Sequence, residues 1–114
     1  MLEKRKFIRL KVPLGVVYRV VRKKKAQKPQ ISFIHDISGA GVSLYCKEDL
    51  RHGDLLRIEI QIPHLADPVQ VLGEVVWTAP RPEHSNYHVG LRFRDVPAKD
   101  LSRILEYVYT IAIG

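Results

Sequence analysis

The sequence predicts a mainly all-β domain: six antiparallel strands in a closed or nearly closed barrel, then one C-terminal helix. Three observations predict it. In LLRIEIQIP, Leu56, Ile58, Ile60 and Ile62 alternate strictly with Arg57, Glu59 and Gln61. That is the period of a strand with one buried and one wet face, as in an antiparallel sheet or barrel wall. The rest of the chain before residue 96 breaks into further β-rich runs separated by polar or Gly/Pro turns. The last stretch, VPAKDLSRILEYVYTIAIG, instead places Leu101, Ile104, Leu105, Val108 and Ile111 at offsets 0, 3, 4, 7 and 10, one face of a helix.

The elements follow in order. PLGVVYRVV and ISFIHDI are two strands joined by the polar tip RKKKAQKPQ, whose cations and Pro29 suit an exposed hairpin loop. GVSLYC is the third strand and LLRIEIQIP the fourth. PVQVLGEVVWTA is the fifth, long and interrupted by Gly73, where a bulge or sharp bend is expected. NYHVGLRFR is the sixth, with Val89, Leu91 and Phe93 inward and His88, Gly90, Arg92 and Arg94 outward. Pro97 suits the first turn of the helix, which spans residues 97–112. A chain of 114 residues holds one core, so 1–114 reads as one domain. Residues 1–11 form a basic N-terminal segment without a packed partner, expected to be flexible, and residues 12–95 form the barrel.

Composition narrows the function classes. The chain is 46% apolar and 27% charged, the profile of a soluble globular protein. No apolar run is long enough to span a bilayer, and the N-terminus lacks a secretory h-region. A single cysteine, Cys46, reads as a small strand residue in a reducing compartment, so the expected location is cytoplasmic. Residues 1–28 carry +10, whereas the whole chain carries +7, so the remainder is acidic by −3. A positive end of this kind suits a phosphate-bearing partner.

Catalytic patterns are not evident. The histidines at 35, 52, 64, 84 and 88 are scattered, and His84 and His88 flank a strand start rather than a helix face. There is no phosphate loop, dinucleotide fingerprint or serine elbow. The expectation is a binding protein, not an enzyme, with no metal site and no cofactor.

Two clusters carry chemistry. Arg5 and Arg9, in RKFIR, are four apart, and each guanidinium suits a phosphate, a guanine edge or a purine face. In HDISGAGVSL, Asp36, Ser38, Gly39 and Gly41 form Asp-x-Ser-x-x-Gly. A carboxylate accepts from the N–H donors of guanine, and a hydroxyl serves a phosphate or ring nitrogen. The glycines permit close backbone approach and positive φ. Taken together, the residues describe a receptor for an anionic, guanine-containing ligand.

The combination resembles the PilZ domain, a bacterial receptor family for cyclic di-GMP. The family pattern is Arg-x-x-x-Arg followed, some twenty to thirty residues on, by Asp/Asn-x-Ser-x-x-Gly; here Asp36 lies 27 positions after Arg9. GEVVW, from Gly73 to Trp77, resembles the family's Gly-x-Val-x-Trp strand, and YHVGLRF its final strand. The resemblance spans nearly the whole chain. It implies a six-stranded antiparallel split β-barrel with a C-terminal helix. It also implies cyclic di-GMP bound by Arg5, Arg9, Asp36, Ser38, Gly39 and Gly41, with Lys4, Lys6, Trp77 and Arg92 as secondary candidates. Lys4 would help accommodate a second, stacked ligand molecule. Ligand would clamp the basic segment onto the barrel and switch the interaction with an unidentified effector protein in motility, biofilm or polysaccharide control. The alternatives are a basic barrel binding single-stranded nucleic acid and a PilZ-fold interaction module without ligand binding. The aromatics oppose the nucleic-acid reading, because only Phe7 and Tyr18 lie among the basic residues.

Overall fold

The computed structural model describes residues 8–23 and 25–113. Its strands are β1 (Gly15–Arg22), β2 (Lys25–Ala26), β3 (Gln30–Ile37), β4 (Gly41–Cys46), β5 (Leu55–Ile60), β6 (Val69–Arg81) and β7 (Asn86–Asp95), and its helix is α1 (Ala98–Ile113). Six strands run in the order β1–β3–β4–β7–β6–β5, every neighbouring pair antiparallel, and β5 pairs back onto β1. The barrel is therefore closed and leaves no long unpaired edge. The two-residue β2 pairs with the end of β1 at the basic tip.

Alternation decides what fills the barrel. Val16, Tyr18 and Val20 of β1 point inward, as do Leu56, Ile58 and Ile60 of β5 and Val89 and Leu91 of β7. Tyr18 is 1% exposed; its hydroxyl donates to Glu48 Oε1 at 2.6 Å and accepts from the Lys47 N–H at 3.2 Å. Burial raises its phenol far above the ordinary value, and the bond to Glu48 adds to this. Tyr18 is thus a core residue, although it lies among the basic residues in sequence. Cys46 is buried as the sequence suggests, and burial pushes its thiol up to about 12, which keeps it an inert core group.

The helix closes the core with Ile104 and Val108, both fully buried. It begins one residue later than expected. The Pro97 carbonyl lies just outside it and accepts from the N–H groups of Asp100 and Leu101. Ile111, expected on the buried face, is 51% exposed. Asp100 is buried instead; it pairs with Arg103 and accepts from the Gln70 backbone N–H at 3.4 Å, linking helix and β6.

The N-terminal segment, expected to lack a packed partner, is tied to the barrel at Leu10. Leu10 donates to the Ile37 carbonyl at 2.8 Å and accepts from the Ile37 N–H at 2.9 Å, an isolated antiparallel bridge to the end of β3. Its side chain packs against the core. This bridge sets Arg9 beside the turn that follows β3.

Candidate functional site

Two β-bulges build the site. In β3 the register against β4 runs Ile34↔Leu44, then Asp36↔Ser43, so His35 is the extra residue. Strict alternation would turn Asp36 inward after Ile34. The bulge instead sets Asp36 on the outer wall beside Ser43, and Ile37 takes the inward position opposite Val42. In β6 the register against β7 runs Val75↔Leu91, then Trp77↔Gly90, so Val76 is extra. Val75 stays fully buried while Trp77 swings outward to 40% exposure. A third shift, between Leu72 and Gly73, falls at the interruption seen in the sequence. The first two bulges place a carboxylate and an indole on the same face.

Arg9 completes the site. Its Nη1 lies 3.5 Å from Asp36 Oδ2, so the two motifs meet in space. Together with Ser38, Gly41, Trp77 and Arg92 they line an open pocket of about 160 Å³. Arg5, Lys4 and Lys6 lie outside the described residues.

Asp36 is buried to 7% exposure, so its partners determine what it can do. The Ser43 hydroxyl donates to Oδ1 at 2.6 Å. With its proton used there, Ser43 Oγ accepts from His88 Nε2 at 2.9 Å, which fixes neutral His88 as the Nε2–H tautomer. Oδ2 faces Arg9 and lies 3.7 Å from His35 Nδ1. Burial lowers the His88 pKa first; the neighbouring His35 and Arg81 lower it further, while Asp36 opposes them. The His35 and His88 rings stand 4.6 Å apart, a juxtaposition that their sequence separation hides.

Ser38 shapes the turn. Its Oγ accepts from the backbone N–H groups of Ala40 and Gly41, at 3.1 and 3.3 Å. Both acceptor positions are taken, so the hydroxyl retains only its proton to offer, and it suits an acceptor such as a phosphate oxygen or ring nitrogen. The glycines act differently from expectation, since neither Gly39 nor Gly41 has positive φ. Gly41 is required by close approach: a Cβ there would stand 2.2 Å from the Leu91 carbonyl oxygen of β7.

Trp77 rests on Gly90, where a Cβ would come within 2.2 Å of the indole. His88 packs edge-on to the indole at 4.8 Å. Gly90 is therefore a site residue that sequence reasoning missed as such. A glycine at an outward strand position is the available signal, because such a position often seats a neighbouring group. Arg92 is not a free cation. Its Nε and Nη2 donate to Glu74 Oε1 at 3.1 and 2.9 Å, and Arg94 donates to the same oxygen. These bonds, Arg92's first, hold the Glu74 carboxyl below its usual range. Among the described residues, no group of three or more His, Cys, Asp or Glu is placed to hold a metal ion. No described helix is long and apolar enough to cross a membrane.

Comparison with known proteins agrees with this fold. The chain is similar to the Bacillus subtilis inhibitor of motility MotI/DgrA, with a TM-score of 0.79 at 17% identity, covering 98% of this chain and 53% of that one. It is similar to the PilZ domain of Escherichia coli YcgR with c-di-GMP, with a TM-score of 0.69 at 12% identity, covering 96% and 92%. It is also similar to the K. pneumonia MrkH–c-di-GMP complex, with a TM-score of 0.69 at 18% identity, covering 98% and 53%. The chain thus spans about half the length of MotI and MrkH and nearly all of the YcgR domain. No curated protein matches it in sequence. The PilZ domain model matches residues 3–110, which takes in both motifs, the whole barrel and most of the helix. The chain belongs to the PilZ domain family.

Proposed function

We propose that this chain is a cyclic di-GMP receptor, with the dinucleotide held on the outer wall between Arg9 and Trp77. The observation that carries the reading is the contact of Arg9 with Asp36, 3.5 Å apart, at the mouth of an open pocket. An arginine and a buried carboxylate side by side, next to an exposed indole, match a ligand with phosphates, guanine N–H donors and flat bases. Two of the similar structures, from E. coli and K. pneumonia, contain c-di-GMP.

Each group has a task within this reading. Asp36 Oδ2 accepts from the guanine N–H groups, while Ser43 holds Oδ1 and fixes the carboxylate orientation. Arg9 exchanges its contact with Asp36 for a phosphate or the base, a bidentate match that lysine does not reproduce. The Ser38 hydroxyl donates to the ligand, and Trp77 offers a stacking face. Arg5, four residues before Arg9, supplies the second guanidinium, and Lys4 and Lys6 add charge. Arg92, tied to Glu74, contributes the pocket wall more than a free charge.

The ligand draws the basic N-terminal segment onto the barrel, and an effector protein reads the resulting surface. Calorimetry with c-di-GMP, using GTP and cyclic di-AMP as controls, tests the reading. Selective binding that weakens at least about tenfold in R9A and in D36A supports it. Affinity that survives both substitutions overturns it. Hydrogen exchange at residues 4–10 slows on ligand addition if the ordering step is right. A stoichiometry of one ligand per chain removes the role given to Lys4.

A further inference from the structure

The wall formed by β1 and β3 carries a feature that the ligand site does not use. Ile31 is 85% exposed and Phe33 57% exposed, both on the outer face of β3. Ile31 pairs directly with Val17 of β1, and Phe33 pairs with Gly15. Among the described residues, a Cβ at Gly15 would meet nothing within 4 Å, so the paired position beside Phe33 is open. Scattered exposed apolar residues are ordinary, but two on one face of a strand, beside half-buried Val17 on the paired strand, make one patch. Because the barrel is closed, no sheet edge explains this patch, and no described element packs over it.

Its electrostatic setting is one-sided. From Lys4 to His35 the sequence contains no Asp or Glu. Within that stretch Arg22, Lys23, Lys25 and Lys28 are all exposed around the hairpin tip that joins β1 to β3. The carboxylates on the other side are Glu59, opposite Val17 on β5, and Asp95, in a groove that also holds Arg19 and Arg57. An apolar patch bordered by cations at its open end complements an acidic surface with an apolar anchor.

We propose that the β1–β3 wall, centred on Val17, Ile31 and Phe33, docks an acidic protein segment that inserts an apolar side chain between Ile31 and Phe33. The surface favours protein over nucleic acid. Its most exposed member is aliphatic, whereas bases need flat faces. The Tyr45 ring farther round the wall is already covered, with Arg81 4.1 Å over it. Three side chains on a flat wall also bring little apolar area to a bilayer. The surface does not depend on the dinucleotide reading, so its test is made without ligand.

The domain is panned against a random-peptide display library, and the enriched peptides are titrated into isotope-labelled protein. The expected peptides carry Asp or Glu around an apolar residue and shift the amides of Val17, Ile31 and Phe33. Their affinity falls more than about tenfold in I31S/F33S, and it also falls in K25E/K28E and at raised salt. Both variants alter only exposed side chains, and an unchanged amide spectrum elsewhere confirms their folding. Enriched peptides without acidic residues, or shifts mapping to another face, overturn the proposal. So does I31S/F33S-sensitive binding of oligothymidylate or phosphatidylserine vesicles in place of peptides. Self-association of the chain that I31S/F33S abolishes overturns it in favour of a second copy.

Discussion

Gly41 and Gly90 show the same overlap with opposite consequences. A Cβ at either position would stand 2.2 Å from its nearest neighbour, the Leu91 carbonyl at Gly41 and the Trp77 indole at Gly90. Carbon contacts are comfortable at about 3.5–4.0 Å, so each neighbour must retreat by roughly 1.3–1.8 Å. The Leu91 carbonyl is backbone within the β4–β7 seam and cannot move that far without separating paired strands. Trp77 is 40% exposed and can swing outward. Gly41→Ala is therefore an overpacking mutation costing about 2–3 kcal/mol, or roughly 8–15 °C in Tm for a domain of this size. Gly90→Ala leaves Tm within a few degrees but moves the indole off its seat. If Trp77 stacks on a base, losing that contact costs about 1–3 kcal/mol, which at 1.36 kcal/mol per factor of ten weakens c-di-GMP about 5- to 150-fold. The chain contains one tryptophan, so its fluorescence reports this residue alone. Calorimetry on G90A, W77A and the double variant completes the test. The double variant is expected to bind no more weakly than W77A, because both substitutions remove one contact. Wild-type affinity in G90A, with a shifted emission maximum proving that the indole has moved, would refute the stacking role.

Further outcomes follow from the hydrogen-bond chain and the titrating groups. Ser43→Ala leaves Asp36 Oδ1 and His88 Nε2 without their shared partner, and it should cost about 1.5–3 kcal/mol in denaturant unfolding, as expected for a bond to a charged group. The c-di-GMP affinity should fall with it, since the carboxylate is no longer oriented. The folded-state pKa of His88 lies below its ordinary value, so the unfolded chain binds more protons there. Its contribution to stability is present above the ordinary histidine range and is lost as pH falls through it. Unfolding between pH 7 and pH 5 should show this slope in wild type and a shallower one in H88Q. Glu74, whose pKa is also lowered by Arg92 and Arg94, adds a separate loss below the ordinary glutamate range, which E74Q removes.

The fold was legible because barrel strands advertise themselves by period. LLRIEIQIP buries Leu56, Ile58, Ile60 and Ile62 as its alternation requires, and Gly73 marks a true register shift. The helix period also held where the barrel lies beneath it, at Ile104 and Val108. It failed at Ile111, where an apolar residue at the right spacing has no described core to meet. Periodicity states which residues share a face, not how far the opposite surface extends. Asp100 shows the converse. A carboxylate in a first helical turn reads as solvent-facing, yet Arg103 and the Gln70 N–H hold it buried.

The site was half legible, and bulges explain the missing half. Asp36 and Ser38 were found by motif, but alternation from Ile34 would have placed Asp36 inside the barrel, and alternation from Val75 would have placed Trp77 there too. One extra residue in each strand, His35 and Val76, reverses both assignments. No residue type demands a bulge at either point, so the sequence carries no local sign of it. The reversal is also what gives the wall its chemistry. A barrel that obeyed its period throughout would bury its carboxylate and its indole and present only the plain outer halves of its strands. Because each strand breaks register once beside the site, an acceptor and an aromatic face emerge on the same surface. The Leu10 bridge to Ile37, one residue past Asp36, then brings Arg9 to meet them. Position along the chain kept these groups apart, and the two irregularities together with that bridge are what assemble them.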